Sequence, residues 1–290
     1  MSAYLNLRRQ LAELPIEKRD VAHVLNILFP DERIYFPSQS SSLKPGMLVY
    51  RARPHASAVR FTLEHQVSYR RDNENVGMGR ANLPQQPVFY GAVRSEEVPH
   101  PWFLACNEVS HKPYPICQTF TATAWRVKKE LPLINLTSHA EQASGMAAAR
   151  MAYRGVHEML NKVPSSHRDH TMAMMTCLGE EFSKAVEQPA DYWISAAFAH
   201  FVYCNLAGGI SYPSVANHFK GFNVAIRPNL VEEHLALVGG QLVQYQLDGD
   251  QTRVLNYELF DSKIEPFQWK PMDPHYAQYR PWMEHGYPHS

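Results

Sequence analysis

The sequence predicts an α+β fold, a β core with flanking helices, and three observations carry that reading. The apolar patterning runs from helices to strands, back to helices and again to strands, without the regular alternation that builds a doubly wound parallel sheet. No Gly-x-Gly-x-x-Gly follows a strand and no Walker loop is present, so the common nucleotide-binding parallel folds have no support. Leu235 to Leu247 and Thr252 to Phe260 alternate around Asp248-Gly249-Asp250, which suits a hairpin turn.

Taken in order, residues 3–29 read as two helices parted at Pro15. Leu5, Leu7, Leu11 and Leu14 form one apolar face, and Val21, Val24, Leu25 and Leu28 another. Pro30 and the polar run Ser38 to Ser42 read as a linker. Met47 to Arg51 and Val88 to Val93 read as strands, as do Ile116 to Val127 and Leu131 to Leu136. Helices follow over about 141–162 and 173–187. Asp191 is a fair N-cap for a third, through Tyr203, which buries Ile194, Phe198, Phe201 and Val202. Strands are expected at Ile210 to Tyr212 and Phe222 to Ile226. Past Phe260 the chain is rich in Pro, Tyr and Trp and reads as surface.

At 290 residues the chain suffices for one large domain or two small ones. Lys+Arg and Asp+Glu number 28 each, a balance that gives no support to general nucleic-acid or anionic-membrane binding. No apolar run reaches the roughly 20 residues of a membrane helix, and the amino terminus lacks a signal-like apolar core. Cys106, Cys117, Cys177 and Cys204 are widely spaced, as expected of reduced thiols in a cytoplasmic protein. His167 and His170, beside Ser165 and Ser166, read as a solvated turn, and no metal is expected.

Two polar turns set against tyrosine-bearing strands, Gly79 to Val93 and Gly208 to Val215, are poorly explained by packing. Arg51 ends a strand and Arg53 shares its face, an arrangement suited to bidentate capture of a phosphate. On spacing alone a surface arginine paired with an acid is favoured. Arg80 and Asn82 lie in a turn led by Gly79, whose backbone freedom such a turn could need. Tyr90 suits stacking on a planar ring or plain core packing. Glu108, a lone acid among small and apolar residues, is a candidate to stabilise a developing cation, with an exposed element end equally open. Ser214 is not in Gly-x-Ser-x-Gly, so a ligand-bonding hydroxyl fits better than a nucleophile.

Tyr50-Arg51, Gly79-Arg80-Ala81-Asn82 with Pro84, Val88-Phe89-Tyr90, Leu104 to Val109 and Gly209 to Ser214 follow one another in the order of the RES domain family, which the chain resembles over about residues 45–228. Gly221-Phe222-Asn223-Val224-Ala225 looks like that family's closing strand. The resemblance implies an ADP-ribosyltransferase-like mixed β core at 45–230, preceded by a helical extension at 1–44 and followed by a hairpin and tail at 231–290. It implies NAD as the substrate, cleaved at the nicotinamide–ribose bond by phosphorolysis, with inorganic phosphate as co-substrate, or by hydrolysis. It also implies a bacterial toxin neutralised by an Xre-like antitoxin. Arg51 would hold phosphates or ribose, Tyr90 would pack by the nicotinamide, Glu108 would act on the ribose and Ser214 would position the ligand. Arg53, Arg80, Asn82 and Tyr212 would complete the binding site.

The chain departs from the family in a long gap between Tyr90 and Glu108, which also contains Glu96 and Glu97, and in Ala81, where a larger residue is common. It also has amino-terminal helices and a tail that a minimal toxin lacks. Regulation, self-association to a homo-oligomer, or a non-toxin branch are roles open to those additions. Modification of a protein target and binding without turnover remain as alternatives.

Overall fold

The computed structural model describes residues 2–14, 20–30, 36, 39–55, 60–93, 101–110, 117–140, 142–248 and 251–271. Helices α1 (Ser2–Ala12) and α2 (Val21–Leu28) open the chain. The Asp20 side chain caps α2 by accepting from the backbone N of His23 at 2.8 Å, which satisfies one of the helix's unpaired donors. Leu7, Leu11, Val24 and Leu28 are buried, whereas Leu5 points outward at 58% exposure and does not join the apolar face expected of it. Pro15 lies outside the described residues.

Strand β1 (Gln39–Leu43) occupies most of the polar run expected to be a linker. It pairs antiparallel with β5 (Leu131–Asn135) at one edge of the sheet. An edge strand needs backbone partners on one side only, so three consecutive serines cost it little. The remaining strands are β2 (Leu48–Pro54), β3 (Phe89–Val93), β4 (Cys117–Val127), β6 (Gly209–Pro213), β7 (Phe222–Ile226), β8 (Leu235–Asp248), β9 (Gln251–Asp261) and β10 (Lys270–Pro271). They form one mixed sheet in the order β1-β5-β6-β7-β3-β2-β4-β8-β9-β10, in which β5 and β6 run parallel and all other neighbours antiparallel. The fold is thus α+β. The β8–β9 ladder closes at Asp248↔Gln251, as the hairpin reading requires, though the turn residues 249 and 250 lie outside the described set.

The sheet divides at its centre. Strand β2 pairs with β4 along its whole length, Leu48 to Pro54, and β3 pairs with β7 from Phe89 to Val93. Between β2 and β3 the ladder has only two residue pairs, Val49↔Val93 and Tyr50↔Ala92. Beyond them the strands part, leaving a wedge between two five-stranded halves. The seam is backed on one face by Val49, Phe89, Val93 and Trp125, with Phe89 edge-on to Trp125 at 5.2 Å. On the other face α4 (Pro101–Val109) lays Trp102, Leu104 and Ala105 over Tyr50, Ala52 and Ala92.

Five helices complete the fold: α3 (Glu64–Val67), α5 (Ala147–Leu160), α6 (Ser165–Ser183), α7 (Trp193–Asn205) and α8 (Pro228–His234). Helix α6 begins at Ser165, so His167 and His170 are helical and not in a turn; His170 Nε2 lies 2.9 Å from the Leu28 carbonyl oxygen and donates to it. Asp191 belongs to a short 3-10 turn, Pro189–Tyr192, ahead of α7, and its carboxylate accepts from the backbone N of Gln188 at 3.1 Å. Helices α1, α2, α6 and α7 bury one face against Ile134, Ile210, Tyr212 and Ala225 of the sheet. Cys106 and Cys177 are buried and Cys204 is exposed.

Candidate active site

A cavity of about 810 Å³ opens where β2 and β3 separate. Its walls bring together six of the eight residues singled out from the sequence: Arg51, Arg53, Arg80, Tyr90, Glu108 and Tyr212. Asn82 and Ser214 stand behind the wall.

Arg51 crosses the wedge. Its Nη1 donates to the carbonyl oxygen of Tyr90 at 2.7 Å, and the guanidinium lies 5.2 Å from the centre of the Phe89 ring. Its Nε is buried without a partner. Among the described residues no carboxylate pairs with Arg51, Arg53 or Arg70, all three of which line the cavity, so the acid-paired surface assignment fails for Arg51. Burial first, and then the charge of Arg53, push the Arg51 guanidinium down to about 9, which leaves it charged at neutral pH. Burial and Arg70 push Arg53 in the same direction. Arg53 donates to the Gln66 carbonyl and Arg70 to that of Asn75, so their positive charge is oriented but not neutralised. Three cations that repel one another around one space make a site for an anion.

Tyr90 offers its ring and not its hydroxyl. The hydroxyl accepts from the backbone N of Ala81 at 2.8 Å and donates to Asn82 Oδ1 at 2.8 Å. Asn82 Nδ2 donates in turn to the carbonyls of Gly77 and Leu83, each at 2.8 Å. Asn82 is therefore a buried strut of the turn, and burial pushes the Tyr90 phenol well above its ordinary value. Gly79 is required for space and not for a left-handed backbone: a Cβ there would lie 2.6 Å from Asn82 Oδ1 and 2.8 Å from the Tyr90 hydroxyl. Gly79→Ala is expected to destabilise the protein by about 1–3 kcal/mol, the usual range for overpacking, as read from its urea midpoint.

Arg80 is seated on the carboxyl end of α6. Its Nη1 donates to the Glu181 carbonyl at 3.1 Å and its Nη2 to that of Lys184 at 3.0 Å, a favourable place for a cation. Its guanidinium lies 5.0 Å from the centre of the Tyr192 ring. The Glu181 side chain, 1% exposed, pairs with Arg8 of α1 at 2.6 Å, so the first helix is tied to the same helix end.

Glu108 reaches the cavity from the last turn of α4. The Ser214 hydroxyl donates to its Oε1 at 2.5 Å, and Ser214 is fully buried. Ser214 thus holds the carboxylate and does not reach the space where a ligand would lie. Tyr212 does line the cavity, and burial pushes its phenol well up. Glu96 and Glu97 lie outside the described residues.

The sequence reading missed Arg70, Tyr192 and Asn223, all in the cavity wall. Asn223 sits opposite Tyr212 in the β6–β7 ladder, 4% exposed, with Nδ2 buried and unpartnered. In the sequence Asn223 stood only as part of the closing-strand motif Gly221 to Ala225, with no site role, although it is an amide inside an otherwise apolar strand. Among the described residues no three His, Cys, Asp or Glu side chains gather to hold a metal ion, and no helix is long and apolar enough to cross a membrane. The arrangement can bind an anion at the arginines, stack a ring near Tyr90 and set a carboxylate against a developing cation. Compared with known proteins, the chain matches no family model and no curated sequence.

Proposed function

We propose that the protein binds NAD in this cavity and cleaves its nicotinamide–ribose bond. The observation that carries the proposal is the meeting, in one cavity, of Arg51, Arg53 and Arg70, which have no carboxylate partner among the described residues, and of Glu108, whose carboxylate is tied back by a hydroxyl. The pyrophosphate is the anion that Arg51, Arg53 and Arg70 complement, and Tyr90 supplies an aromatic face for the nicotinamide. The cavity volume lies in the range of small-molecule sites.

In the reaction the C1′–N bond breaks and its electron pair stays with the nicotinamide nitrogen, which leaves neutral and needs no strong acid. Positive charge develops on the ribose, where the Glu108 carboxylate is a direct stabiliser. Water or inorganic phosphate then forms the new bond at C1′ and loses its proton to solvent. The resemblance to the RES family adds a toxin role and an Xre-like antitoxin as the partner.

Incubation of the purified protein with NAD, with and without phosphate, tests the reading. Free nicotinamide with ADP-ribose indicates hydrolysis, and ADP-ribose 1″-phosphate indicates phosphorolysis. NAD left intact in both overturns the proposal, and label passing to an added protein points to a transferase.

A further inference from the structure

We propose that Asn217, with Asn107 behind it, is a positioning residue that forces the Ser214 proton onto Glu108. The inference rests on the NAD-cleavage reading and extends it to residues outside the cavity. Asn107 Nδ2 donates to Asn217 Oδ1 at 2.8 Å, Asn217 Nδ2 donates to Ser214 Oγ at 2.7 Å, and Ser214 Oγ donates to Glu108 Oε1 at 2.5 Å. The four residues form one directed chain.

Its direction is set by chemistry. An asparagine amide can be turned over, which would exchange donor for acceptor. Here the Asn217 nitrogen also lies 3.5 Å from the Leu104 carbonyl oxygen, a group that only accepts. The end of the amide facing Ser214 and Leu104 is therefore the NH₂ end. A hydroxyl that accepts from Asn217 has its single proton left for Glu108. Turned over, Asn217 would claim that proton, and Glu108 would face the hydroxyl's lone pairs.

Glu108 needs this donor because of where it stands. It is the penultimate residue of α4, and the carboxyl end of a helix disfavours a negative charge. Asn107, Glu108 and Leu104 all belong to α4, so the loop after β6 grips the last two turns of the helix at three residues.

The loop is built to hold Asn217 there. His218 and Phe219, the next two residues, adopt φ values of +52° and +61°, a conformation that costs a non-glycine residue energy. Phe219 N donates to the Ser214 carbonyl at 2.7 Å, and Ser214 N donates to the Gly221 carbonyl at 2.9 Å. Gly145 supports the loop from below: a Cβ there would lie 2.1 Å from the Phe219 carbonyl oxygen. Two strained residues braced in this way over-determine the position of the amide they follow.

The test is a double-mutant cycle in the full chain. Asn217→Asp keeps the shape but accepts at both ends, so it draws the Ser214 proton away from Glu108. Its kcat for NAD should fall about 10²-fold with KM within roughly threefold, the signature of a misplaced group that acts in the transition state. Ser214→Ala should fall by a similar factor. The double variant should be no slower than Ser214→Ala, because the effect of Asn217 passes through Ser214. ADP-ribose affinity, measured by calorimetry, should be unchanged in all three and shows that they are folded. Should Asn217→Asp fail to fold, Asn107→Ala should still lower kcat about tenfold, since Asn217 loses the donor that orients it. Wild-type turnover with Asn217→Asp near wild type, multiplied losses in the double variant, or a folded Asn107→Ala at wild-type rate would overturn the inference and leave the proposed function standing. NAD untouched by the wild-type protein would overturn both.

Discussion

Glu108→Gln is expected to lower kcat for NAD cleavage about 10³-fold, or about 4 kcal/mol of transition-state stabilisation, while KM stays near wild type. The substitution is isosteric, and the new carboxamide oxygen can still accept from Ser214, so the surrounding hydrogen bonds persist. What disappears is a full negative charge beside the ribose at the moment it becomes cationic. A neutral dipole recovers only part of that interaction. In ground-state NAD the positive charge is spread over the nicotinamide ring and reaches the ribose only as the bond breaks, so binding should register the change far less than turnover. The measurement is steady-state nicotinamide release together with calorimetric binding of ADP-ribose. A Glu108→Gln protein within tenfold of wild-type kcat would remove Glu108 from the chemistry and turn attention to Glu96 and Glu97.

Arg51→Met should act on binding. Its KM for NAD and its Kd for ADP-ribose are expected to rise about 10²-fold, close to 2.7 kcal/mol, the scale of a charge-assisted contact to phosphate. Methionine keeps an apolar stem against Phe89 but removes a cation that no carboxylate balances among the described residues. It also removes the bond to the Tyr90 carbonyl. The two losses oppose each other in the ligand-free protein, and the urea midpoint should correspond to wild type within about 1 kcal/mol. A variant that binds ADP-ribose normally would show that the anion lies elsewhere. One that unfolds would show that Arg51 is a structural brace.

How much of this could be read from the chain differs from element to element. Strands β3, β5 and β7 are short apolar runs bounded by turns, and they lie within a residue or two of where the pattern put them. Strand β1 was hidden because an edge strand can be polar. Helix α4 was hidden for the opposite reason: Trp102, Phe103, Leu104, Ala105 and Cys106 are apolar in succession, which erases helical periodicity. Helix α6 looked shorter than it is because its first turns, Ser165 to His170, are polar.

The candidate site was legible in its residues more than in their roles. The resemblance to the RES family, more than composition or spacing, singles out Arg51, Tyr90 and Glu108, and the fold brings all three to one cavity. The parts played by Asn82 and Ser214 depend on which side of a wall each stands, which no spacing reveals. Ser214 meets a carboxylate 106 positions away, and Asn217 meets Asn107 across 110. Contacts of that separation exist only once the sheet has formed.

The two-pair seam between β2 and β3 bears on what an occupant does to the molecule as a whole. Arg51 and Arg53 belong to one half of the sheet, and Tyr90, Tyr212 and Asn223 to the other. A ligand that engages both sets acts as a rivet through the open end of the wedge, adding a fastening to a join whose ladder has only two rungs, beside one arginine and the side chains packed on either face. The grip of the protein on its ligand and the stiffness of its sheet are then a single property, set by the angle at which the two halves meet.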